Sequence, residues 1–217
     1  MRKNKFITIF SIALVVFTPK IWAFSEEHEL LAPEVQASMH SSIINPVEPY
    51  LIFASKEEAN AWLSDMSNRL KKWIPDQFLR NRYLTIIQYE AKRAGIDPQI
   101  VLSIITVESK FNKYAIPPNG DAQGMMQVRP FWRSLIGRKN QSLFDVRTNI
   151  RYGCTILRYY LQKNHGNMAN ALAQYNGSPN KTWYPQKVFA AYNKYWTPAT
   201  FATIKNGEIK YINYARI

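Results

Sequence analysis

A chain of 217 residues, 47% hydrophobic and 14% aromatic, is long and apolar enough for one domain with a buried core plus extra segments, so most of it should fold. Its single cysteine, Cys154, excludes an intrachain disulfide framework. A formal net charge of +13 favours a polyanionic partner, whether nucleic acid, an anionic membrane surface or an acidic cell-wall polymer, without choosing among them.

The N-terminus narrows that choice. A basic stretch, Met1 to Lys5, precedes the compact apolar run "FITIFSIALVVF", and Ala23 suits the last position before cleavage. Residues 1–23 therefore read as a secretory signal peptide. The run is shorter than the roughly twenty residues that a spanning helix needs. No cysteine lies near the cut for lipid attachment, so no stable membrane anchor is expected after signal removal, and the protein is expected in the periplasm or at the cell wall. Export weakens the nucleic-acid reading.

Residues 24–54 carry three prolines and no sustained period, and read as a linker or peripheral wrap. A helical body is predicted over 55–196. Ser55 and Glu58 form a capping box ahead of Trp62, Met66, Leu70 and Trp73, which recur at helical spacing. Pro75-Asp76 breaks and restarts the chain. Phe78, Tyr83, Ile86, Ile87 and Ala91 make the next stripe, with Gly95 at its C′ position. Asp97 caps a helix with Pro98 at its first position, carrying Ile100 to Lys110. A loop rich in Pro and Gly, residues 112–124, follows. Short helices are predicted near Met125 to Val128 and over Phe131 to Ile136. Asp145 caps a longer one to Lys163, and further helices are predicted around Met168 to Tyr175 and over Tyr184 to Trp196. In residues 197–217, Asn206-Gly207 between two β-prone runs predicts a small hairpin.

The chemistry on offer is narrow. His28, His40 and His165 are scattered, and no metal-ligand spacing occurs, so neither metal nor cofactor is expected. Cys154 falls in line with Ile150 and Leu157, the setting of a buried thiol. Glu108 is different. It lies on the apolar stripe of its helix, with Val101, Ile104 and Ile105 behind it and Phe111 ahead, near the C-terminal end. Burial and the negative helix end both disfavour its charged form, which suits a general acid at neutral pH. The bland alternative is a buried Glu paired with Arg or Lys. Downstream, "QGMMQV" and "AQYNG" supply amides, thioethers and a phenol, groups that suit a sugar cleft.

"AGIDPQIVLSIITVESKFNKYA", "GMMQV", "NIRYG" and "AQYNG", in that order, resemble the catalytic domain of soluble lytic transglycosylases, a family with an all-α, goose-type lysozyme-like fold. The resemblance covers about half the chain, roughly 86–192. It implies non-hydrolytic cleavage of peptidoglycan glycan strands to 1,6-anhydro-N-acetylmuramic acid ends, with no cofactor. It places the catalytic acid, later base, on Glu108, followed by Ser109. It places glycan contacts on Gly124, Met125, Met126 and Gln127, and on Tyr175 and Asn176, with the tyrosine hydroxyl beside the glutamate. Met125 stands where the family usually has Leu, and Pro117 where it commonly has Ser. The loop is one residue longer around Asp121, and Ser178 follows Gly177 in place of Ala-Gly.

Most glycosidases use two carboxylates. Asp97 and Asp145 read as caps, and Asp121 is a minor second candidate. A single carboxyl suffices if the substrate's N-acetyl group assists. The competing readings are a hydrolytic goose-type lysozyme, a non-catalytic wall-binding scaffold, and a basic nucleic-acid binder, the last disfavoured by export.

Overall fold

The computed structural model describes residues 31–197 in full and the backbone of two strands beyond them, 201–205 and 208–212. The chain divides into two units, Met1–Leu31 and Ala32–Ile217. The predicted signal peptide lies outside the described residues.

The body is all-α. Its helices are α1 (Pro33–Ile44), α2 (Lys56–Leu70), α3 (Gln77–Arg93), α4 (Pro98–Glu108), α5 (Phe131–Ile136), α6 (Val146–Lys163), α7 (Met168–Tyr175) and α8 (Trp183–Ala191), which runs into a π turn, Tyr192–Trp196. The predicted caps close the helices they were assigned to. Ser55 accepts from the Glu58 amide, Asp97 from Gln99 and Asp145 from Thr148. Gly95 takes φ +67°, the left-handed conformation that ends α3. Strands β1 (Phe201–Lys205) and β2 (Glu208–Ile212) pair antiparallel with Lys205 opposite Glu208. That is the hairpin register the Asn-Gly pair predicts.

Three expectations need correction. The stretch 24–54 contains α1, a helix with no side-chain cap and only Met39 and Ile43 buried. So short an apolar face leaves no period to read. Tertiary bonds hold it: Gln36 Nε2 donates to Leu135 O (2.6 Å), and Arg151 donates to the Ile43 and Asn45 carbonyls (3.0 and 2.5 Å). Residues 125–128 are not helical. Gln123 and Val128 close a turn by two backbone bonds, with Gly124 at φ +76° and Gln127 at φ +49°, values no α-helix accommodates. Finally, Phe78 is 75% exposed at the start of α3, and the buried band of that helix begins further along, with Arg80 and Leu84.

Helix α4 is the core element. Every residue from Pro98 to Thr106 is buried. A helix buried all round must satisfy its own hydroxyls. Ser103 bonds back to Gln99 O and Thr106 to Leu102 O, and Thr106 Oγ1 also accepts from Trp196 Nε1 (2.9 Å). Trp73 stacks on Trp196 with centroids 5.4 Å apart and meets Phe111 at 5.2 Å, closing the core around the end of α4.

Helices α3 and α6 are joined through charge. Glu90, with no exposed side-chain surface, pairs with Arg93 (2.9 Å) and Arg151 (2.9 Å), and Arg147 approaches to 3.8 Å. Arg151 spends its remaining donors on α1, so one guanidinium fixes three helices. Breaking a buried pair leaves an uncompensated charge. Arg151→Met should therefore destabilise the protein by about 3–5 kcal/mol, measured by urea denaturation at pH 7.

Candidate active site

Glu108 is the last residue of α4. Ser109 caps the helix, and Lys110 and Phe111 take φ +52° and +67°, turning the chain sharply away. The turn aims the Glu108 carboxyl across the end of the helix. Its Oε1 accepts a hydrogen bond from the hydroxyl of Tyr184 at 2.5 Å. Among the described residues no Lys or Arg is ion-paired to it. Burial pushes its pKa from 4.5 up to about 6, and the Tyr184 bond opposes that shift only in part. Burial of Tyr184, with Glu108 beside it, pushes the phenol well above its ordinary range, so it remains a donor.

The four blocks of the sequence meet at the 123–128 turn. Ser109 Oγ donates to Met125 O (2.8 Å), and Tyr175 Oη donates to Met126 O (2.7 Å). Asn149, from "NIRYG", clamps the turn from beneath. Its Oδ1 accepts from Met126 N (2.7 Å), and its Nδ2 donates to Gln123 O (2.7 Å) and Leu143 O (2.9 Å). Gln127 Nε2 donates to Ala115 O and Gly124 O, which ties in the 112–124 loop. Two glycines make room. A Cβ on Gly124 would meet Leu143 O at 2.4 Å and Asn149 Nδ2 at 2.5 Å, and one on Gly153 would meet Met126 Sδ at 2.4 Å.

This geometry revises several assignments. The phenol bonded to Glu108 is that of Tyr184, and Tyr175 holds the turn instead. The side chains of Met125 and Met126 are fully buried, so their contribution here is backbone shape, with no thioether on the surface. Gln127 is partly exposed, as are Ser109 and Tyr175. Asn176 caps α7 and donates to Ser178 Oγ (3.1 Å), without bonding to the turn. Tyr184 and Asn149 are the residues that sequence reasoning passed over. Tyr184, Val188 and Ala191 form the buried stripe of α8, and a buried tyrosine demands a partner for its hydroxyl. Only the fold says which partner.

Other candidates fall away. Asp121 is 53% exposed and paired with Arg129 at 3.0 Å. Cys154 is fully buried, which pushes its thiol far up, and His165 is exposed in a turn. Among the described residues, no group of three His, Cys, Asp or Glu could hold a metal ion.

The fold and site define an all-helical, lysozyme-like domain in which the Glu108 carboxyl, bonded to a phenol, ends the central helix. The chain belongs to the transglycosylase SLT domain family, whose model matches residues 85–196. Over 85 residues it is 38% identical to the membrane-bound lytic murein transglycosylase C of Mannheimia succiniciproducens, covering 35% of this chain and 24% of that protein. Over 113 residues it is 30% identical to the protein of that name from Yersinia enterocolitica, covering 45% and 31%. A 49-residue stretch is 47% identical to that of Actinobacillus pleuropneumoniae, covering 23% and 13%. The chain thus spans less than a third of the length of the curated relatives it matches.

The folded carboxyl holds its proton more tightly than a free one. Its contribution to stability is full below pH 4.5 and is lost as pH rises through about 6. Glu108→Gln should therefore be more stable than the parent at pH 7.5, by up to about 2 kcal/mol, and equal to it at pH 4, measured by urea denaturation at both pH values. Tyr184→Phe removes the one bond that lowers the pKa. It should move the Glu108 titration, followed by carboxyl NMR, above its present value near 6.

Proposed function

We propose that this protein is a peptidoglycan lytic transglycosylase, cleaving the β-1,4 bond between N-acetylmuramic acid and N-acetylglucosamine without water. The observation that carries this reading is a lone carboxyl at an apolar helix end, bonded to a phenol and to no cation among the described residues, with its pKa near 6. Membership of the transglycosylase family supports it.

The reaction needs one carboxyl used twice. Protonated Glu108 gives its proton to the glycosidic oxygen as the bond to C1 breaks. The carbonyl oxygen of the sugar's own N-acetyl group stabilises the cation developing at C1. Glu108, now a carboxylate and still held by Tyr184, takes the proton of the C6 hydroxyl, and O6 attacks C1. The product carries a 1,6-anhydro ring, and Glu108 ends protonated, ready for another cycle. A pKa near 6 suits both halves, because the group must give and regain a proton near neutral pH.

Gln127, Ser109, Tyr175 and Asn176 are proposed to border the bound strand. Met125 and Met126 are proposed to act through the backbone of their turn. The hydrolytic alternative asks for a second carboxylate, and the exposed Asp121, committed to Arg129, is poorly suited to that role. The scaffold alternative asks for Glu108 in a tight ion pair.

The proposed setting is the cell envelope, reached by export through the predicted leader at residues 1–23. The relatives are named as membrane-bound proteins. Among the described residues of this chain, no helix is long and apolar enough to cross a membrane.

The test is digestion of purified sacculi followed by mass analysis of the products. Anhydro-muramyl ends are expected, and Glu108→Gln should lose about a thousandfold in rate or more. Reducing ends one water heavier would replace this reading with a lysozyme. Full activity in Glu108→Gln would remove Glu108 from the mechanism.

A further inference from the structure

Trp183 opens α8, one residue before the tyrosine that holds Glu108, and it is 46% exposed. Exposed indole is unusual, because tryptophan has more apolar surface to hide than any other side chain. Its position is not that of a loose surface group. The ring meets Tyr184 edge-on, with centroids 5.8 Å apart and planes at 86°. Tyr184 is itself 1% exposed, and its hydroxyl lies 2.5 Å from Glu108. Indole, phenol and carboxyl thus form one connected series from the surface to the proton donor. Pro185 fixes the backbone directly after the two rings, and Tyr184, Pro185 and Val188 anchor the helix in the core. The indole is presented on a rigid element.

A cation accompanies it. Lys187 lies one turn further along α8, and its ammonium is 4.9 Å from the centroid of the Trp183 ring. The lysine is exposed, so the charge is available to a ligand that reaches the ring. An aromatic face with a flanking ammonium matches a particular chemistry. The face takes the C–H surface of a pyranose, and the ammonium takes a carboxylate attached to it.

We propose that Trp183 is a stacking platform for a sugar ring of the bound glycan strand, and that Lys187 pairs with a carboxylate of the peptide stem carried by that strand. The proposal rests on the glycan-cleaving reading above and adds a substrate preference to it. Trp183 would serve any strand of N-acetylated sugars. Lys187 would favour strands that still carry their acidic stems, and its share of binding would be weakened by salt. Neither residue exchanges a proton with the substrate, so both are binding residues.

The test uses the full chain carrying Glu108→Gln, which binds without turnover, and calorimetry with two probes. One is a hexamer of β-1,4-linked N-acetylglucosamine, which has no carboxylate. The other is stem-bearing glycan strands. Added Trp183→Ala should weaken both probes about five- to tenfold, the range of an aromatic contact. Trp183→Phe should restore binding to within about twofold, since it keeps a ring. Lys187→Gln should weaken only the stem-bearing strands and flatten their salt dependence. Unchanged binding in Trp183→Ala, or a Phe variant as weak as the Ala variant, overturns the platform. Equal loss for both probes in Lys187→Gln overturns the charge assignment. Failure of Glu108→Gln to bind either probe overturns the whole proposal. If the parent protein forms no anhydro ends while binding still depends on Trp183, the catalytic reading fails and the platform stands.

Discussion

A carboxyl near the C-terminal end of a buried helix must be paired with a cation or hold its proton to a higher pH than a free carboxyl does. This chain contains both solutions. Glu90, in the last turn of α3, is surrounded by guanidinium groups from Arg93, Arg147 and Arg151, and its charge ties α3 to α6 and indirectly to α1. Glu108, at the end of α4, meets a phenol and an apolar core. The first carboxylate is a structural rivet. The second holds its proton more tightly than a free carboxyl, and the difference between them is what surrounds each oxygen. That setting carries a cost, because the folded state must hold a buried group that ionises as the pH rises.

The remainder of the site keeps that arrangement still. The 123–128 turn is held from four directions, by Ser109 at the end of α4, Tyr175 at the end of α7, Asn149 in α6 and Gln127 reaching back to the preceding loop. These are hydrogen bonds to backbone atoms, each worth little alone. Together they leave the turn few alternatives. Gly124 and Gly153 are required because the clamp and Met126 already fill the space where a Cβ would stand. The blocks that are far apart in sequence form one hydrogen-bonded unit next to Glu108. An all-helical scaffold can present such a unit because its helix ends, where the polar backbone is free, converge there.

Much of this was legible in the chain. The helix caps at Ser55, Asp97 and Asp145 follow from short-range hydrogen bonding, and the β-hairpin from the left-handed tolerance of Asn-Gly. The unusual setting of Glu108 could be read from four apolar neighbours at helical spacing. Other features had no such signal. Helix α1 lacks both a cap and an apolar stripe, and it exists because α5 and α6 offer it partners. The 125–128 segment has a helix-compatible composition, yet Gly124 and Gln127 turn it the other way to meet Asn149.

The sequence by itself therefore determined the helical class, the element boundaries set by local caps, and the place of Glu108 on an apolar helix stripe. Those depend on neighbours within a turn or two of the chain, where spacing alone sets which groups meet. Only the tertiary structure decided that Tyr184 and not Tyr175 bonds to Glu108, that Met125 and Met126 are buried, and that Asn149 clamps the turn. Tyr184 and Glu108 are 76 positions apart; α8, which carries Tyr184, packs on α4, whereas α7, which carries Tyr175, packs on α6 and α8. Which hydroxyl reaches the carboxyl depends on that helix arrangement, and no local rule of spacing contains it.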